Sequence, residues 1–219
     1  VKGDYRPYVV RQGDHLAKLA HTHGFDAEEV WGHEQNTDLR RLLRTPDVLA
    51  PGDILHLPTK PKEGLAFSAG TSNRYRAAVP KIKMSLTFKD GERVFSNEPF
   101  EVHGLGSEGA HGQTSEGKTD ANGRLNLELP VTAREVSIVF PNQNVAYDVR
   151  IGDMDPAAEL SGIKKRLENL GYLPRDCDLG TEDAYLVAAL SAFQKKHGLE
   201  VTGAVDDATK RALEDEHGL

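Results

Sequence analysis

The spacing of apolar residues changes period twice along this chain, and a join rich in proline and glycine marks each change. Residues 81–151 alternate apolar and polar side chains as strands do, whereas from Asp155 the period is helical to the end. Before residue 59, two short strand-like runs flank a helical middle. That succession favours several small cores over a single large one. The chain divides into residues 1–58, a linker at 59–80, a segment at 81–153 and a segment at 154–219. The expected fold class is α+β and multidomain: a βααβ unit, a small all-β sandwich and an all-α three-helix bundle. With 219 residues shared among three pieces, none is long enough to build a deep cleft.

In the first piece, Tyr8-Val9-Val10-Arg11 reads as a strand ended by Gly13-Asp14. A helix follows with Leu16, Leu19 and Ala20 on one face and Gly24 as its stop. Asp26-Ala27-Glu28-Glu29 has the spacing of a capping box. The next helix carries Val30 and Trp31, the latter read as core, and Leu39, Leu42 and Leu43 extend the helical stretch. Pro51-Gly52 turns the chain into Ile54–Pro58, a strand expected to pair with the first.

The middle piece alternates Ile82, Met84, Leu86 and Phe88 with polar residues. Asp90-Gly91 and Asn122-Gly123 are turns, and a flexible loop rich in glycine is expected at 104–117. Leu125, Leu127 and Leu129, then Val136, Ile138 and Phe140, then Val145, Tyr147 and Val149 give further strands. In the last piece Asp155-Pro156 reads as a helix N-cap followed by proline. Leu160, Ile163, Leu167 and Leu170 recur at helical spacing up to Gly171. A second helix holds Leu186, Ala189, Leu190 and Phe193, and a third begins near Asp206-Asp207.

Charge and residue usage exclude several function classes. The net charge is −7, and residues 156–219 hold 12 acids against 8 bases. A phosphate-tracking groove needs the opposite sign, so no nucleic-acid partner is expected. No apolar run approaches the ~20 residues of a membrane span. The single Cys177 allows no intrachain disulfide and no four-cysteine zinc site. Its neighbours Asp176 and Asp178 disfavour a thiolate, so it reads as a partly buried neutral thiol. His33-Glu34 starts like a zincin helix, but position 37 is Thr. Neither metal, cofactor nor enzymatic activity is expected.

Three resemblances follow from these residues. Tyr8-Val9-Val10, Gly13-Asp14-His15-Leu16, Asn36 and Leu49-Ala50-Pro51-Gly52-Asp53-Ile54-Leu55-His56-Leu57-Pro58 resemble the LysM domain. His15 replaces the usual Thr or Ser, and Asp38–Val48 is longer than the family norm. The resemblance implies binding of N-acetylglucosamine polymers in a shallow groove with walls at Gly13, Asp14, His15 and Leu16 and at Pro46, Val48 and Leu49. The turn Thr119–Leu125 with the Leu-Pro strand end resembles the transthyretin-like, carboxypeptidase regulatory-like family, which implies a spacer or contact module.

Leu167–Tyr172, Ala189–Leu199 and Gly203–Leu213 resemble the three-helix peptidoglycan-binding domain. That implies binding of the stem peptide, with Tyr172 and Gln194 as candidate groove residues. Modules in this order resemble bacterial peptidoglycan-binding proteins associated with type VI secretion. The implied function is non-catalytic binding of peptidoglycan, as glycan or stem peptide. The alternative is an adaptor for secretion spike or effector proteins. Val1-Lys2-Gly3-Asp4-Tyr5 carries no export signal, so the expected location is cytoplasmic before delivery and then the periplasm and cell wall.

Overall fold

The structure, a computed structural model, describes residues 4–42, 44–59, 68–72, 74, 79–104 and 114–217. Leu43, most of the linker and the loop glycines Gly106, Gly109 and Gly112 lie outside these residues. Helices and small sheets are both present, which makes the class α+β. Two compact units divide the chain, and both are discontinuous in sequence. The first is Val1–Tyr8, Gly13–Asn36 and Leu55–Gly152; the second is Val9–Gln12, Thr37–Ile54 and Asp153–Leu219.

Strand β1 (Tyr5–Val9) pairs with β2 (Ile54–Pro58). The first strand thus starts three residues earlier than Tyr8 and ends before Val10, because Thr59 N–H donates to the Asp4 carbonyl at 2.8 Å and sets the register. Helix α1 (Leu16–His23) stops at Gly24, whose φ of 70° only a residue without Cβ adopts freely. Asp26 caps α2 (Ala27–Gly32) by accepting from the N–H groups of Glu28 and Glu29 at 3.0 and 3.1 Å. A short 3-10 turn then leads to α3 (Thr37–Arg41). Leu42 lies past its end and is more than half exposed, so the helical stretch is shorter than its leucines suggest.

Asn36 is fully buried, and its amide ties the loop after α2 to β2. Its Nδ2 donates to the carbonyls of Val30 and His56 at 2.8 and 3.0 Å, and its Oδ1 accepts from His56 N–H at 2.7 Å. A buried amide with both ends satisfied fixes one geometry, which is why an asparagine is needed there.

The first unit's other strands lie between Lys81 and Arg150. Strands β3 (Lys81–Thr87) and β8 (Arg124–Pro130) pair antiparallel, with Ile82 opposite Leu129 and Leu86 opposite Leu125. The hairpin β4 (Lys89–Asp90) and β5 (Arg93–Val94) turns at Gly91. A second sheet runs in the order β10-β9-β6-β7, from β6 (Pro99–His103), β7 (Ser115–Lys118), β9 (Glu135–Phe140) and β10 (Val145–Arg150). Inward residues of both sheets share one core, which contains Val102, Leu125, Leu129, Val136, Ile138 and Phe140. Phe140 meets Phe88 and Phe95 edge-on at 4.9 and 5.0 Å.

In the second unit, α4 (Leu160–Asn169), α5 (Ala184–Lys196) and α6 (Asp207–His217) share a core of Ile163, Leu167, Leu186, Leu190, Phe193 and Leu213. Asp183 caps α5 by accepting from Leu186 N–H at 2.8 Å, and Asp206 accepts from Thr209 N–H in α6 at 2.7 Å. Asp155 is not a helix cap. Glu159 N–H closes a turn on the Pro156 carbonyl at 3.0 Å, so α4 starts only at Leu160, and the Asp155 carboxylate instead accepts from the Ser161 hydroxyl at 2.6 Å.

Candidate functional site

Helix α5 is apolar beyond its core face. One face carries Leu186, Ala189, Leu190 and Phe193 into the core. The remaining surface leaves Tyr185 74% and Val187 52% exposed on two different sides, since residues two apart on a helix do not share a face, with Ala184, Ala188 and Ala192 between them and Lys195 at the C-terminal end. An amphipathic helix on a small domain normally gives its outer face to charged and polar residues. Here the run Ala184–Leu190 has no charge at all.

The loop after α5 forms a ridge beside Val187. Gly203, at a φ of 67°, comes so close to α5 that a Cβ there would stand 2.8 Å from the Val187 side chain and 2.9 Å from the Ser191 hydroxyl. Val201, two residues earlier, is 55% exposed. Gln194 holds this ridge in place. Its Oε1 accepts from the N–H groups of Thr202 and Gly203 at 3.0 and 2.9 Å. Its Nε2 donates to the Thr202 hydroxyl, the Ala204 carbonyl and the Thr209 hydroxyl at 3.1, 2.9 and 3.0 Å. The side chain is fully buried, so Gln194 positions the ridge from beneath. Tyr172 is half-buried, edge-on to Phe193 at 5.4 Å, with Lys196 Nζ 6.0 Å above its ring.

Charged groups that the sequence reading missed support these helices. Lys164 is fully buried and donates to Asp183 at 2.9 Å and to the Thr181 carbonyl at 2.7 Å. That hydrogen bond and the Leu186 N–H hold the Asp183 carboxyl below its usual range. Arg166 is buried too and donates to the carbonyls of Asp155 and Gly162. Desolvation lowers its pKa despite Glu214 and Asp155. His217 is pushed down to about 4, first by burial and then by Arg166. A lysine or arginine at a helical position reads as solvated unless its partner is known.

The LysM-like positions fall in both units. Gly13, Asp14, His15 and Leu16 belong to the first, and Pro46, Val48 and Leu49 to the second. Asp14 accepts from the Tyr8 hydroxyl at 2.8 Å, and Lys18 Nζ donates to the Gly13 carbonyl at 2.7 Å. His15 is the N-cap of α1, and both it and Leu16 are buried. Gly13 lies against Gly152, where an added Cβ would sit 3.0 Å from the Gly13 carbonyl carbon and oxygen. In the second unit Pro46 is half-buried, Val48 and Leu49 are buried, and Thr45 closes the turn by exchanging backbone hydrogen bonds with Val48 at 3.2 Å. Arg44 donates to Asp53 at 3.0 Å and to Glu159 at 2.6 Å.

Cys177 is half-buried against the helical core. Among the described residues, no group of three or more His, Cys, Asp and Glu is placed to hold a metal ion. No described helix is long and apolar enough to cross a membrane.

Residues 157–213 match the family model described as "Putative peptidoglycan binding domain". The matched segment holds α4, α5, the Gly203 ridge and α6 as far as Leu213. No curated protein and no solved structure matches the chain. The match supports peptidoglycan binding by the C-terminal helical domain.

Proposed function

We propose that this chain is a non-catalytic peptidoglycan-binding protein whose C-terminal helical domain makes the contact with the cell wall. The observation that carries the reading is the family match over 157–213, which falls on three helices with one shared core. The N-terminal βααβ segment is read as LysM-like and the β3-β8 and β10-β9-β6-β7 sheets as a carboxypeptidase regulatory-like sandwich serving as a spacer. Their order along the chain supports an association with type VI secretion, with delivery from the cytoplasm to the periplasm. Co-sedimentation with insoluble peptidoglycan at low salt is the test. A chain that stays in the supernatant refutes binding, and release of soluble muropeptides refutes the non-catalytic reading.

A second reading applies to the N-terminal segment, which serves protein contact instead of glycan binding. It is favoured by the Gly13 loop, whose backbone lies against Gly152 of the same chain and whose neighbours Asp14, His15 and Leu16 are buried. Such a module would engage a secretion spike or effector protein, and a pull-down that recovers neither counts against it.

A further inference from the structure

We infer that the two outer strands of the four-stranded sheet are complementary edges, so that β10 of one copy of this chain pairs antiparallel with β7 of the next; the inference goes beyond cell-wall binding and does not depend on it. In the order β10-β9-β6-β7 each of these strands has a neighbour on one side only among the described residues. Thr119 N–H donates to the Glu98 carbonyl at 3.0 Å, in register with Gly117 opposite Phe100. By the alternation of an antiparallel ladder, Gly117 turns its backbone to β6, and Glu116 and Lys118 turn theirs to the open side. On β10, Ile151 N–H donates to the Arg134 carbonyl at 2.8 Å, in register with Val149 opposite Val136. Asp148 and Arg150 therefore turn their backbones to the sheet's other open side. Such edges are templates for a further strand.

Charge and shape identify a second copy as the occupant. Setting Lys118 opposite Asp148 puts Gly117 opposite Val149 and Glu116 opposite Arg150, so both outward pairs are of opposite charge. A shift of two residues either way sets Lys118 against Arg150 or Glu116 against Asp148, and a shift of one turns every side chain to the wrong face. Glu116 stands opposite Glu101 in its own sheet, so a cation arriving on its open side offsets a like-charge pair. The inward sides match as well. There β7 brings only Ser115 and Gly117, and a Cβ on Gly117 would stand 2.7 Å from the Phe100 ring. Beside it lies an open pocket of about 370 Å³, lined by Phe100, Gly117, Leu125 and Leu127 among others. The β10 edge is the reverse, with Val145, Tyr147 and Val149 half-buried against the core. Pairing β7 with β7 would set glycine against glycine, and pairing β10 with β10 would leave the β7 pocket uncovered. A contact between unlike edges repeats, so copies add head to tail into rings or open chains.

Sedimentation velocity of the full chain reads the association directly. The native chain is expected to gain mass as its concentration rises from about 10 μM to about 1 mM. Lys118→Glu and Asp148→Lys change exposed side chains and should keep the native circular dichroism and melting temperature. Each alone sets like charges across the contact and should weaken association about tenfold or more. An equimolar mixture of the two should regain the native behaviour, because every junction between unlike variants again joins opposite charges. Loss in Asp148→Lys alone would show β10 pairing with itself, and loss in Lys118→Glu alone β7 with itself; either overturns the proposal. So does a mixture that fails to recover, or a native chain that stays monomeric at the highest concentration. None of these outcomes bears on co-sedimentation with peptidoglycan, which is read separately.

Discussion

The side-chain oxygen of Gln194 accepts from the backbone N–H of Gly203 at 2.9 Å, which ties a buried helix position to the ridge beside Val187 of α5. Replacing Gln194 by Ala leaves the Gly203 N–H without its acceptor, takes from Thr202 N–H one of its two acceptors and opens a cavity. The expected loss is about 3 kcal/mol of unfolding free energy in urea. Gln194→Glu keeps the shape but loses all the Nε2 donations and sets a buried carboxylate oxygen against the Ala204 carbonyl. It should be at least as destabilised as Gln194→Ala at pH 7, and a variant as stable as the native chain refutes this role.

Arg44 carries two carboxylates of unequal burial, and the inequality makes a prediction. Its own side chain and that of Asp53 are 6% and 9% exposed, whereas Glu159 is 46% exposed. Asp53 also accepts from Ala50 N–H at 2.8 Å, so the pair closes the loop before β2. Arg44→Ala strands the Asp53 charge in a dry site and should cost about 3 kcal/mol. Glu159→Gln removes a half-solvated partner and should cost less than about 1 kcal/mol. Equal effects in equilibrium unfolding would show that the outer carboxylate matters as much as the inner one.

Much of the local structure was legible because it rests on neighbours in sequence. Gly24, Gly171 and Gly198 end helices at positive φ, and the alternation of Leu125, Leu127 and Leu129 places one strand face in a core. Asp26 caps a helix through amides two and three residues away, as its spacing to Glu29 foretold. What was not legible depends on distant partners. Lys164 is buried because Thr181 and Asp183 come back over α4, and Asp155 loses its expected cap because a turn at Pro156 delays the helix. The Gly13 motif is plain in the sequence, yet its proximity to Gly152 arises from chain far downstream. Gln194 was picked out as a groove residue by resemblance, and the structure gives its polar atoms to the ridge.

Stability should fall on mild acidification, and His217 is the group responsible. Its pKa is lowered from 6.5 to about 4 by burial and by Arg166, and its Nε2 lies 3.0 Å from the Asn169 amide. The unfolded chain therefore binds a proton between pH 6.5 and 4 that the folded chain refuses. Stability is complete above pH 6.5 and declines as pH drops towards 4, by roughly 2 kcal/mol once residual solvent contact is allowed for. The depressed carboxylates Asp178, Asp183 and Asp206 lose their contribution only below their ordinary 3.8, outside this window. Urea midpoints at pH 5 and 7.5 measure the slope, which His217→Gln should flatten. An unchanged slope in that variant would assign the effect elsewhere.

Gly152 and Gly171 separate backbone strain from close approach. Both have positive φ, 77° and 81°. A Cβ at Gly171 meets nothing within 4 Å, so Gly171→Ala pays only for the left-handed conformation, about 1 kcal/mol. A Cβ at Gly152 stands 3.0 Å from the backbone carbon and oxygen of Gly13 and 3.2 Å from its Cα. None of these three atoms belongs to a flexible side chain, and the Gly13 carbonyl is already held by Lys18 at 2.7 Å. The loop must shift as a whole, so Gly152→Ala should cost about 2–3 kcal/mol. Hydrogen exchange at Asp14 and His15 should accelerate in that variant and stay native in Gly171→Ala. Equal melting temperatures for the two variants, with unchanged exchange at the Gly13 loop, would mean that Gly152 does not brace it.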